Sequence, residues 1–132
     1  DIESPLAKVK MDIHQIPFPA DTFGVAFCNH VMEHVHDDIR AMQELHRVLK
    51  PGGWAIIQSP QDWSRATTYE DAAITDPKER ERHFWQDDHY GRRLERGGFQ
   101  VTEDRFVMEL PAPVVERYAL PKEEIVYFCR KS

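Results

Sequence analysis

Asp12 and Asn29 are polar residues placed where apolar stretches give out. In open α/β sheets ligands bind beyond the carboxyl ends of the strands. A carboxylate in such a place accepts hydrogen bonds from amino or hydroxyl groups, and an amide can both donate and accept. Directly after Asn29 comes His30-Val31-Met32-Glu33-His34. Its H-x-x-E-H spacing is also a zinc metallopeptidase pattern, with two histidines on the metal and the glutamate as general base. In that reading His36, His46, His83 and His89 are the sources of further ligands.

The elements that must position these residues can be read from period and punctuation. Residues 9–11 read as the end of a strand running into Asp12, and Ile16-Pro17-Phe18-Pro19 cannot be helix interior. Residues 23–28, FGVAFC, form a near-continuous apolar run of the kind found in a strand covered on both faces. Asp37 or Asp38 caps a helix whose Ile39, Met42, Leu45, Val48 and Leu49 follow three-to-four spacing, and Pro51-Gly52-Gly53 ends it. Residues 54–58 are the next strand, stopped at Pro60. Asp76-Pro77-Lys78-Glu79 looks like a helix start, and residues 90–98 a short helix closed by glycine. Residues 99–107 and 125–129 have β-rich composition and flank a proline-punctuated stretch. This alternation predicts an α/β fold with a mostly parallel sheet and an antiparallel edge strand. No repeat or internal boundary divides the chain, so residues 1–132 are expected to form a single domain.

Composition sets the outer limits. A chain of 132 residues, 41% hydrophobic and 30% charged, suits one ordinary globular domain. A net charge of −6 disfavours a nucleic-acid partner bound through phosphates. No apolar run approaches the roughly 18 residues that span a bilayer, so no membrane partner is expected. Cys28 and Cys129 sit in apolar runs, where a free cysteine behaves as a small hydrophobe. Two cysteines without a visible secretion signal point to reduced thiols and a cytoplasmic setting.

Several motifs in order resemble one family. Asp12, Ile16-Pro17-Phe18, Phe23-Gly24-Val25, Met32-Glu33-His34 and the run from Arg47 through Lys50-Pro51-Gly52-Gly53 are similar to the class I S-adenosylmethionine-dependent methyltransferases of the type 11-like group. Gly24 departs from the family's usual aspartate, and Gly97-Gly98-Phe99 resembles the Gly-Phe before its sixth strand. The resemblance implies a Rossmann-like fold and S-adenosylmethionine as cofactor. It also implies methyl transfer to an unidentified acceptor, with no catalytic residue assigned. It places Asp1 on the ribose hydroxyls, Asp12 on the adenine amino group, Ile13 against the ring, and Asn29 and His30 at the methionine end. Taken alone, Asp12 before a proline turn is an ordinary turn residue, Asn29 a cap of the following turn, and Asp1 a surface aspartate.

The family's glycine-rich loop has no counterpart here and would precede Asp1, so the chain reads as the C-terminal portion of a longer enzyme. A non-catalytic binding or structural domain that keeps the fold is the alternative, and the missing loop favours it for this chain. Residues 61–89, with Trp63, Arg65, Tyr69, Trp85 and His89, are the expected substrate-facing region. As single residues they read as aromatics on the sheet and charges in solvent. The abrupt join at His89-Tyr90 is also compatible with residues omitted there. The zinc reading competes weakly, because its five-residue pattern coincides with the methyltransferase signature and comes directly off a strand.

Overall fold

The structure, a computed structural model, describes residues 5–61, 71, 73–76 and 90–132. Strand β1 (Phe23–Asn29) leads through a 3-10 turn (Met32–His34) into helix α1 (Asp38–Val48), which returns the chain to strand β2 (Leu49–Gln58). Helix α2 (Tyr90–Arg96), strand β3 (Gln100–Asp104), two short helices α3 (Phe106–Glu109) and α4 (Ala112–Arg117), and strand β4 (Val126–Arg130) complete it.

The four strands lie in the order β1-β2-β4-β3. β1 and β2 are parallel, while β4 runs against both β2 and β3. Three strands therefore share a direction, as the βα alternation predicts, and one opposes them. The opposing strand is not at the rim but inserted between β2 and β3. Residues 9–11 make no strand, a correction to the expectation for Met11. A strand needs a partner for its backbone groups, and among the described residues nothing pairs with this stretch or with the outer edge of β1.

Helix α1 starts where its capping residue dictates: Asp37 accepts a hydrogen bond from the Arg40 amide at 2.9 Å. It ends one residue earlier than expected. Leu49 is already extended and opens β2, so Lys50-Pro51-Gly52-Gly53 forms an irregularity inside the strand rather than the helix stop. The glycines are required there. Gly52 has φ +77°, and a Cβ on Gly53 would lie 2.8 Å from the Lys50 carbonyl and 2.9 Å from that of Gly24. β3 also stops short of the expected residue 107, because Asp104 accepts from the Phe106 amide at 2.8 Å and turns the chain into α3.

The core lies on one face of the sheet. Ala55 and Cys129 stand side by side in register, and with Ile57 and Tyr127 they join Ala41, Met42, Leu45 and Val48 of α1 and Tyr90 and Leu94 of α2 in one buried cluster. Burying a side chain of this size stabilises the fold by about 1.5–3 kcal/mol. Gly97 lets α1 and α2 approach, since a Cβ there would sit 2.6 Å from the Met42 Cβ. Asp38 and Arg93 tie the same two helices through a pair of hydrogen bonds of 2.5 and 2.7 Å. Both cysteines are buried free thiols, as expected, and burial pushes each up to about 12.

Among the described residues no layer covers the opposite face, whereas residues 23–28 were expected to be covered on both sides. Phe27, Ile56 and Phe128 form an in-register row there, and Phe27 is 68% exposed. Trp54 partly shields the row, edge-on to Phe27 and stacked on Phe128 with centroids 5.0 Å apart. The sequence period records which residues are apolar, not whether a second layer covers them.

Candidate functional site

Two segments carry the site. The first leaves the carboxyl end of β1. Asn29 is its last residue, exposed and in register with Gln58 at the end of β2. His30 adopts φ +54°, and its amide still donates to the Gln58 carbonyl at 2.9 Å. A β-carbon in the left-handed region is strained, and such strain persists only where surrounding contacts hold it. The chain then tucks Met32 and Glu33 inside, both with 0% exposure. Ser59, just beyond β2, donates to Glu33 Oε2 at 2.8 Å, while His30 Nδ1 and His34 Nε2 lie 3.4 and 3.9 Å from Oε1. A cleft of about 110 Å³ opens here, lined by His30, Gln58, Ser59, Gln61, Glu123 and Glu124 among others.

The second segment is the turn at Asp12. α1 anchors it: Ile16 donates its amide to Glu44 Oε2 at 2.9 Å, and Arg47 donates to the carbonyls of Ile16 and Phe18, each at 2.8 Å. Arg47 holds the Glu44 carboxyl down at about 2, helped by the Ile16 amide and by Arg40. Upstream, Asp12 Oδ1 accepts from the His14 amide at 2.9 Å and meets His14 Nδ1 at 2.6 Å. These contacts keep the exposed Asp12 carboxyl below its usual range, the amide contributing most. The His14 ring reaches the start of α1, where Nε2 accepts from the Asp37 amide at 3.4 Å. Since α1 begins a few residues after β1 ends, the Asp12 turn and the 29–34 turn flank the same end of the sheet.

Four of the expected site residues, Asp12, Ile13, Asn29 and His30, therefore fall at the carboxyl end of the sheet. Asp12 and Asn29 are exposed, while Ile13 is half-buried against the core. Asp1, Trp63, Arg65, Tyr69, Trp85 and His89 lie outside the described residues, as do the helix start after Asp76 and the join at Tyr90. The zinc pattern does not form its required geometry. It needs both histidines on one face of a helix with the glutamate turned toward the metal. Here His30 precedes a single 3-10 turn, and Glu33 points into the core against Ser59.

Similarity to known proteins fits this geometry. A family model described as a methyltransferase domain matches residues 4–104. The chain belongs to the class I S-adenosylmethionine-dependent methyltransferase family. An uncharacterized methyltransferase of Schizosaccharomyces pombe is 43% identical over 46 residues, which are 35% of this chain and 16% of that protein. The 2-phytyl-1,4-naphtoquinone methyltransferase of Nostoc punctiforme is 42% identical over 52 residues, 39% of this chain and 23% of its own. The matched segments thus span less than a quarter of the length of these curated relatives. Among solved structures, the 1,6-didemethyltoxoflavin-N1-methyltransferase of Burkholderia thailandensis, crystallised with bound 1,6-didemethyltoxoflavin and S-adenosylhomocysteine, superposes with a TM-score of 0.61 at 18% identity. That match covers 94% of this chain and 50% of the other, and it shows the Rossmann-like fold.

Two residues on which the site depends, His14 and Glu33, take structural roles that the sequence motifs do not assign. His14 had a detectable signal, since an aspartate two residues before a potential donor is the spacing of a local side-chain turn. Glu33 had none beyond its motif, because a glutamate is rarely buried and its partner Ser59 is 26 residues away.

Proposed function

We propose that this chain is the portion of an S-adenosylmethionine-dependent methyltransferase that receives the adenine with Asp12 and Ile13 and the methionine end with Asn29 and His30. The observation that carries this reading is the outward side of Asp12. Its Oδ1 is engaged by His14, whereas Oδ2 accepts no hydrogen bond among the described residues and the side chain is 58% exposed. A carboxylate oxygen left open at the carboxyl end of a sheet, beside the apolar Ile13, fits an aromatic amine that lies against an apolar wall.

The cofactor supplies, when bound, a methyl group on a positively charged sulfur, ready for displacement by an acceptor atom. What remains for the protein is orientation and exclusion of water. The Glu44–Arg47 staple fixes the segment that carries Asp12 and Ile13. The buried Glu33 fixes the turn that carries His30. The cleft beside His30 is the acceptor's approach, with Gln58, Gln61 and Glu124 able to bond polar groups.

Calorimetric titration with S-adenosylhomocysteine tests the reading. Asp12→Ala removes one charge-assisted hydrogen bond worth roughly 1.5–3 kcal/mol, so affinity should fall about tenfold to a hundredfold. Equal affinity in the variant would remove Asp12 from the site.

A further inference from the structure

Beyond the residues that touch the cofactor, we propose that His14 is the positioning residue that presets Asp12 for the adenine amino group. The inference rests on the cofactor reading above. An exposed aspartate ordinarily samples several rotamers, and ordering it on binding costs free energy. Here two donors from one residue, the His14 amide at 2.9 Å and ring Nδ1 at 2.6 Å, converge on Oδ1 and leave Oδ2 as the outward acceptor.

The residue that does this is itself fixed at three points. Its Nε2 accepts the Asp37 amide at the start of α1, at 3.4 Å. Its face lies on His36, with centroids 4.0 Å apart and planes tilted by 35°. Its backbone carbonyl accepts from Arg40 Nε at 3.3 Å. Only 15% of the side chain is exposed, against 58% for Asp12. With Nε2 accepting, the ring donates from Nδ1, which is the Nδ1–H tautomer. The Asp37 amide selects that tautomer, because a proton on Nε2 would face another N–H. Asp12 thus takes its orientation from the start of α1 through one imidazole, and the same helix anchors Ile16 downstream.

The test compares two ligands by calorimetry: S-adenosylhomocysteine and its purine analogue, which carries hydrogen in place of the 6-amino group. His14→Phe keeps an aromatic ring against His36 but has no ring donor. It should bind S-adenosylhomocysteine about tenfold more weakly, the scale of one charge-assisted hydrogen bond, and the purine analogue within about twofold of the unmodified protein. Asp12→Asn should show the same ligand dependence, and adding His14→Phe to it should cost nothing further. His14→Gln, which retains a side-chain N–H donor, should recover part of the loss. Equal weakening toward both ligands, or additive losses in the double variant, would overturn the positioning role while leaving the cofactor reading intact. Failure of the unmodified protein to bind either ligand would overturn the cofactor reading and this inference with it.

Discussion

Arg47 grips Glu44 one turn earlier on the same helix, donating from Nε to Oε1 at 2.9 Å and from Nη2 to Oε2 at 2.8 Å. The pair also holds a segment almost thirty residues upstream, through the Ile16 amide and the carbonyls of Ile16 and Phe18. A helix surface pair three residues apart is normally worth a few tenths of a kcal/mol. This one satisfies backbone groups that proline-rich chain cannot pair by itself, and Glu44 is 4% exposed.

Glu44→Ala should therefore cost about 1.5–3 kcal/mol, the range for losing hydrogen bonds to a charged group. Urea denaturation reads this as a lower midpoint at an unchanged slope. The acid limb gives a second reading. The Glu44 carboxyl lies at about 2 in the folded chain against 4.5 as its ordinary value. A depressed carboxyl contributes stability that is complete above 4.5 and is lost as pH falls from there toward 2. In Glu44→Gln the loss of stability across that window should be shallower, and an identical acid limb would rule out the assignment.

His46 should work in the neutral range. Burial lowers its affinity for a proton below the ordinary 6.5, Lys131 adds to this, and the buried Nε2 has no hydrogen-bond partner among the described residues. The folded chain therefore prefers the neutral ring. That stability is complete above 6.5 and declines as pH falls below it, where the unfolded chain takes up the proton first. His46→Phe, which keeps an aromatic edge toward Phe99, should flatten the pH dependence of the thermal midpoint below about pH 6.5.

Two glycines should respond differently to alanine. At Gly97 the new methyl meets the Met42 Cβ at 2.6 Å and the Leu94 carbonyl at 3.1 Å. Overpacking of this kind costs about 1–3 kcal/mol. At Gly24 nothing lies within 4 Å of the new atom, so Gly24→Ala should stay within about 0.5 kcal/mol of the unmodified chain. Equal effects in thermal unfolding would contradict the close α1–α2 approach.

The sheet face left uncovered among the described residues gives a solution signature. Phe27, 68% exposed, continues with Val25 and Phe128 into a larger apolar area than scattered surface residues make. The 132-residue chain should bind an apolar fluorescent dye in its folded state. Phe27→Lys should reduce that signal without lowering the urea midpoint. Unchanged dye fluorescence would locate the binding elsewhere.

The local elements were legible because their causes are local. FGVAFC is strand-forming by its own side chains, Asp37 caps the helix that follows it, and the apolar positions from Ile39 to Val48 recur on one helical face. The order of acid, strand, turn and helix also implies one end of the sheet for Asp12 and Asn29. What the sequence left open depends on partners far along the chain. β4 slips between β2 and β3 because its register with both buries Cys129 beside Ala55 and Val101, a pairing across about seventy residues that no local period records. Whether β1 is covered on one face or two depends on which layers meet it. Glu33 is legible as a motif letter, but its burial requires Ser59, and the hold of His14 on Asp12 requires the amide of Asp37. Periodicity and turn chemistry act within a few residues, whereas burial and the satisfaction of polar groups are properties of surfaces that touch only after the chain has folded.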